Sequence, residues 1–136
     1  MKLNSNLLWF LRILSAVILL QTLFFKFSAH PESVALFTKL GVEPWGRIGT
    51  GILELITGLL LLLPSYTRFG AVLAFGLMVG AIASHLLVIG IQSSGDGGKL
   101  FLLAVIVLIS SMVLLLHYRN QLRIDLNKLF GKETNK

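Results

Sequence analysis

Residues 46–64 read GRIGTGILELITGLLLLLP. The stretch is apolar enough to cross a bilayer, yet it carries Arg47, Thr50, Glu54 and Thr57. Side chains three, four and seven residues apart stack along one stripe of a helix, so these four share a face. A carboxylate in the middle of a spanning helix costs about 2.5–3.5 kcal/mol on insertion scales. Something in the rest of the chain, or something it binds, is expected to offset that cost. A helix over residues 44–63 spans about 30 Å and sets Glu54 about 15 Å from its start, near mid-membrane.

Composition agrees with a membrane setting for the whole chain. Of 136 residues, 55% are hydrophobic and 13% charged, and the mean hydropathy is +0.85. A soluble domain is far more polar. Four stretches are long enough to cross the hydrocarbon, at roughly 20 residues each. They lie at about 6–27, 44–63, 67–90 and 99–118. The expected fold is an all-α integral membrane four-helix bundle forming a single domain over residues 1–136. The formal charge of +6 reads as topology and lipid-surface charge rather than nucleic-acid binding, since no basic run sits beside stacking aromatics. With no cysteine, the chain has no dithiol chemistry and no thiolate metal site, so a redox role must borrow electrons from a cofactor or partner.

The first apolar stretch is longer than a signal peptide, holds Arg12 and Gln21, and lacks a small-x-small cleavage site. It reads as the first span. Arg12, Ser15, Thr22 and Lys26 fall within about 80° of one another and form a polar stripe. Between the first two spans, SAHPESVALFTKLGVE predicts a short interfacial helix, started by Pro31 and closed by Gly41. Pro44 suits the first turn of the second span and Trp45 the aromatic belt. The third span is rich in small residues, and Gly76, Gly80 and Ser84 at four-residue spacing predict a groove for close approach of another helix. IQSSGDGG is a turn cluster before Lys99. Residues 119–136, with Leu122, Leu126 and Leu129 at helical spacing, read as a separate short basic helix on the membrane surface.

Charge then sets the topology. One side carries Lys2, Arg68, Arg119, Arg123, Lys128, Lys132 and Lys136 with both termini, and Arg12 lies near that face. The other carries Lys26, Lys39, Arg47 and Lys99 together with Glu32, Glu43 and Asp96. The positive-inside rule places both termini in the cytoplasm, and the expected location is a bacterial-type inner membrane. Lys26, Arg47, Glu54, His85 and Lys99 then share the outer half, with Arg12 deeper. Three fixed positive charges against Glu54 predict an electropositive pocket open to the outside, suited to an anion or to a ligand with acceptor oxygens such as a quinone. Glu54 reads either as a ligand or proton-handling group or as the structural partner of Arg47 or His85. His85 reads either as a proton relay or quinone donor or as an interhelical donor. One Glu and one His are too few ligands for a metal site.

The ordered set of features resembles the DoxX-like family of small four-helix membrane proteins. It comprises Arg12 in RILSAV, Lys26 in FFKF, the GxxxGxLELxxGLLLLLP stretch with Glu54, His85 in AIASHL, and a glycine–aspartate loop before the fourth span. The resemblance covers about residues 7–118. It implies a four-helix bundle and, among relatives, membrane redox work that includes subunits of thiosulfate:quinone oxidoreductases and an oxidative-stress complex. More distant relatives are membrane chaperones or cargo receptors. Another branch supports disulfide formation, for which this chain lacks the thiols. Arg12, Lys26, Glu54 and His85 carry over as pocket residues. Two roles follow as expectations: a quinone- or anion-binding subunit of a membrane redox system, or a non-catalytic accessory or assembly subunit. The expected partners are membrane lipid and other membrane subunits or further copies of the chain.

Overall fold

A computed structural model describes residues 1–131. Lys132 and Lys136, counted above among the basic residues of the tail, lie outside the described residues. The elements in chain order are α1 (Ser5–Gln21), α2 (Leu23–Phe27), α3 (Pro31–Lys39), α4 (Trp45–Leu62), α5 (Thr67–Ser84), a π-helical turn (His85–Ile89) and α6 (Lys99–Leu129). Among the described residues four spans are long and apolar enough to cross a membrane: Ser5–Phe27, Trp45–Leu62, Thr67–Ile89 and Lys99–Leu129. α1 packs on α4 and α6, and α5 packs on α4 and α6, so the four spans close a ring. Many large apolar side chains, Phe24 and Leu87 among them, face outward. That is the surface lipid requires, since the backbone polar groups are satisfied inside each helix.

The first span is broken where a single helix was expected. Its amide and hydroxyl both explain the break: Thr22 N–H donates to the Leu19 carbonyl at 3.3 Å, and Thr22 Oγ1 donates to the same carbonyl at 2.8 Å. Both bonds run back three residues and tighten the turn, separating α1 from α2. At the other end of α1, Asn4 supplies the N-cap by accepting from Leu7 N–H at 2.8 Å.

The short helix between the spans forms where the sequence placed it. Pro31 occupies its first turn. It closes as a Schellman motif, with Gly41 N–H donating to Thr38 C=O at 2.9 Å and Val42 N–H to Phe37 C=O at 3.1 Å. Gly41 takes φ 74°, a conformation that glycine adopts without strain.

α4 and α5 approach backbone to backbone just past the Pro64–Tyr66 turn. A Cβ at Gly70 would stand 2.8 Å from the Leu61 amide nitrogen. At the expected groove no helix of the bundle approaches: among the described residues nothing lies within 4 Å of a Cβ at Gly76 or Gly80, and both residues line a cavity. The close packing of α5 belongs to Gly70, one turn into the helix.

The fourth span departs most from expectation. Residues 119–129 of the tail form no separate surface helix; α6 runs unbroken for 31 residues, because no glycine or proline interrupts the chain between Lys99 and Gly131. At 1.5 Å per residue it is about 46 Å long, against roughly 30 Å of hydrocarbon, so its last turns project beyond the bilayer. Arg68 at the start of α5 bonds Asp125 in the projecting part. Leu3 N–H donates to His117 Nδ1 at 3.2 Å. The N-terminal segment and the described end of α6 therefore lie at the same end of the bundle.

Candidate functional site

At the opposite end, the polar residues of α1 and α2 meet those of α4. Lys26 Nζ lies 2.8 Å from Glu54 Oε2, and Thr22 Oγ1 lies 2.8 Å from the same oxygen. Lys26 Nζ also donates to Thr22 Oγ1 at 3.1 Å. The cost of the mid-span carboxylate is thus offset by an ammonium and a hydroxyl, four residues apart on one helical stripe. Glu54 is 8% exposed, which makes this a nearly closed ion pair with a third polar member. No hydrogen bond joins Glu54 to His85 or to Arg47 among the described residues.

Arg47 is placed elsewhere than expected, and Arg12 keeps to the end of the bundle that carries the termini. Arg47 Nε bonds Glu43 Oε1 at 2.7 Å, and its Nη1 donates to the Lys26 carbonyl. It therefore laces the end of α2 to the start of α4 and does not line the cavity. Arg12 is buried, with Nε donating to Leu61 C=O at 2.8 Å and Nη2 to Leu62 C=O at 2.9 Å. These are among the four unpaired carbonyls at the end of α4, where the helix dipole favours a cation. The Trp9 ring lies 3.9 Å from the guanidinium carbon, adding a cation–π contact. Arg12 is a helix cap at the far end of the bundle, outside the pocket that the resemblance assigned to it.

His85 sits where α5 changes to a π turn. The wider turn brings the Gly90 carbonyl to 2.8 Å from His85 Nδ1, and Gly90 N–H closes back on His85 C=O at 2.7 Å. A carbonyl only accepts, so Nδ1 carries the proton. With Nδ1 committed to Gly90, Nε2 is the ring nitrogen left to meet a ligand. Phe101 packs edge-on against the ring at 5.7 Å between centroids.

Asp96 builds the loop between α5 and α6. Its Oδ1 accepts from Ser93 N–H at 3.0 Å and Gly98 N–H at 2.8 Å, and its Oδ2 from Leu100 N–H at 3.0 Å. Burial alone pushes this carboxyl up. The three amides, Leu100 first, together with charge at His85, outweigh burial and hold it below the usual carboxylate range. A depressed folded pKa gives stability that is complete above the unfolded carboxylate pKa, about 3.9, and is lost as pH falls through the lower folded value. Amide hydrogen exchange at Gly98 and Leu100 is expected to accelerate, relative to the other helix starts, below about pH 4. Asp96→Asn should show that faster exchange already at neutral pH, and equal protection in both proteins would refute the capping role.

These groups surround a cavity of about 790 Å3. Its charged lining is Lys26 and Lys99 with Glu32, Glu54 and Asp96, and His85 also faces it. The expected electropositive pocket is therefore not present: Arg47 is turned away, and Glu32 on α3 and Asp96 bring two carboxylates that the sequence reading kept outside. Along the lining two fixed positive charges stand against three carboxylates. Most of the remaining wall is apolar, including Leu19, Met78 and Ala104 at depth and Phe37 beneath α3. Thr22 and Glu32 are the site residues not singled out in advance. Thr22 was legible from its place on the stripe four residues before Lys26, while Glu32 needed the fold, which lays α3 over the cavity mouth. There Lys39 Nζ holds the Ile89 carbonyl at 3.0 Å.

A family model described as the DoxX-like family matches residues 10–114. The chain belongs to the DoxX-like family. The matched range runs through Arg12, Lys26, Glu54, His85 and Lys99, so it takes in every polar group of the cavity and the cap of α4. No curated protein and no solved structure matches. Membership and the four apolar spans make this an integral membrane protein of DoxX-like type.

Proposed function

We propose that this DoxX-like protein holds a quinone-type amphiphile in the cavity, as a subunit of a membrane redox system. The observation that carries the reading is the Glu54–Lys26–Thr22 cluster, set in an otherwise mostly apolar wall. Ligand sites take this form: apolar volume for bulk and a few placed polar groups for orientation. Lys26 donates to a carbonyl oxygen, and His85 Nε2 meets a second ring oxygen. The pair suits a ring that carries oxygen functions and passes between quinone and quinol. The quinone supplies two-electron, two-proton redox chemistry when bound. With both termini in the cytoplasm of a bacterial-type inner membrane, as the basic residues favour, the cavity opens outward. Electrons come from a partner protein, since the chain has no cysteine of its own to carry them.

The competing reading, a purely accessory subunit that docks a partner helix on the glycines of α5, has weaker support. Gly76 and Gly80 line the cavity, so a partner helix reaching them would have to enter it. The test is organic extraction of the protein purified in mild detergent, followed by quinone quantification. About one quinone per chain is expected, with Gly80→Leu and Glu54→Gln each lowering occupancy at least roughly tenfold, about 1.4 kcal/mol. An empty wild-type protein, or full occupancy in both variants, overturns the reading.

A further inference from the structure

A second concave surface lies at the Arg12 end of the bundle, on the side away from the cavity. It is a groove of about 470 Å3 between α5 and α6. One stretch of it is apolar, formed by Phe75, Met112, Leu115 and Leu116, of which Met112 and Leu116 are about half exposed, and the stretch nearer the end of α6 carries Arg119, Arg123 and Asn127. We propose that this groove binds one anionic phospholipid of the surrounding leaflet, with an acyl chain along the apolar part and the phosphate on Arg119 and Arg123.

The placement of the arginines argues for it. Met112 to Arg119 is seven residues, about 10 Å along the helix axis, and Arg119, Arg123 and Asn127 follow at steps of about 6 Å. They mount one face of α6 as it leaves the hydrocarbon. Tyr118 beside them, Tyr66 in the turn between α4 and α5, and Trp9 near the start of α1 mark the interfacial level at this end. Both arginines are exposed, and neither joins an ion pair among the described residues. The acidic neighbour on α6, Asp125, is committed to Arg68, so among the described residues no carboxylate neutralises the pair. A planar guanidinium with paired N–H donors matches a phosphate diester, and the Asn127 amide adds further donors. The unbroken α6 is what makes the site possible, because a tail lying flat on the membrane would carry these residues away from Phe75 and Met112.

The test is native mass spectrometry of the intact protein in detergent, titrated with dioleoylphosphatidylglycerol or with dioleoylphosphatidylcholine. The expected result is one tightly retained phosphatidylglycerol, bound at least roughly tenfold more tightly than phosphatidylcholine. Arg119→Gln with Arg123→Gln should weaken that binding about thirtyfold, following the usual worth of two basic residues at an anionic surface. Lys2→Gln with Lys128→Gln removes the same charge at the same end and should leave it within about threefold. Equal affinity for the two lipids overturns the site. So does an equal loss in the two double variants, which would mean diffuse surface charge, or glycerol 3-phosphate binding as tightly as the lipid, which would mean a phosphate site without the groove.

Discussion

Glu54→Ala should lower the stability of the bundle by about 3–5 kcal/mol, the usual effect of removing one partner from a buried ion pair. The loss is large because of what stays behind. Lys26 Nζ is held 2.8 Å from Glu54 Oε2 inside a span, and without the carboxylate its charge faces a mostly apolar cavity wall. Removing both charges should be milder than removing one, so Lys26→Met with Glu54→Leu should recover most of the loss. Glu54→Gln should fall between, since the amide still accepts from Thr22 but no longer balances Lys26. Equilibrium unfolding in mixed detergent micelles measures the series. A double variant as unstable as Glu54→Ala would show that the pair is not the energetic unit. The double variant also separates structure from the proposed ligand binding, because a stable bundle that retains less quinone than wild type assigns the pair to the ligand.

The second large effect lies at the other end. Arg12→Ala should cost about 3 kcal/mol, from two hydrogen bonds to a charged donor that are each worth about 1.5–3 kcal/mol and are not fully additive. The carbonyls of Leu61 and Leu62 would be left inside the bundle without partners. Arg12→Lys should recover only part of this, because an ammonium cannot reproduce the planar fork that serves two carbonyls at once. Thermal unfolding followed by helical circular dichroism, with quinone content measured in parallel, distinguishes a cap from a pocket residue. A cap lowers the melting temperature and leaves occupancy per folded molecule unchanged. An Arg12→Ala protein as stable as wild type would remove the capping role.

The architecture was legible because in a bilayer composition nearly dictates it: a run of twenty apolar residues has few options besides a spanning helix. The short helix at Pro31–Lys39 was equally readable from its proline start and glycine stop. The tail of α6 was misread because polarity was taken for a boundary, whereas a helix without glycine or proline leaves the membrane without ending. Within the site, Lys26 and Glu54 were found as isolated polar residues, but their pairing was not. Arg47 lay on the same helical face as Glu54 and looked like the natural partner. It was drawn instead to Glu43, four residues earlier, and to the free carbonyl at the end of α2. Arg12 shared its stripe with Lys26, yet about 20 Å of helix separates them, at 1.5 Å per residue. A shared face does not mean a shared site when a span is long. The sign of the cavity was misjudged for a related reason, since Glu32 enters it from a segment whose docking no periodicity reveals.

Thr22 has one hydroxyl proton and two oxygens within reach, the Leu19 carbonyl and Glu54 Oε2, each at 2.8 Å. The proton that bends the first span is therefore the one that steadies the carboxylate, and it cannot do both fully at once. A ligand that took over the contact to Glu54 would release the proton to Leu19 and tighten the bend. A ligand that pulled Lys26 away would draw the proton to Glu54 and leave the bend to the Thr22 amide alone. The shape of the first span and the occupancy of the cavity thus become linked through a single hydrogen.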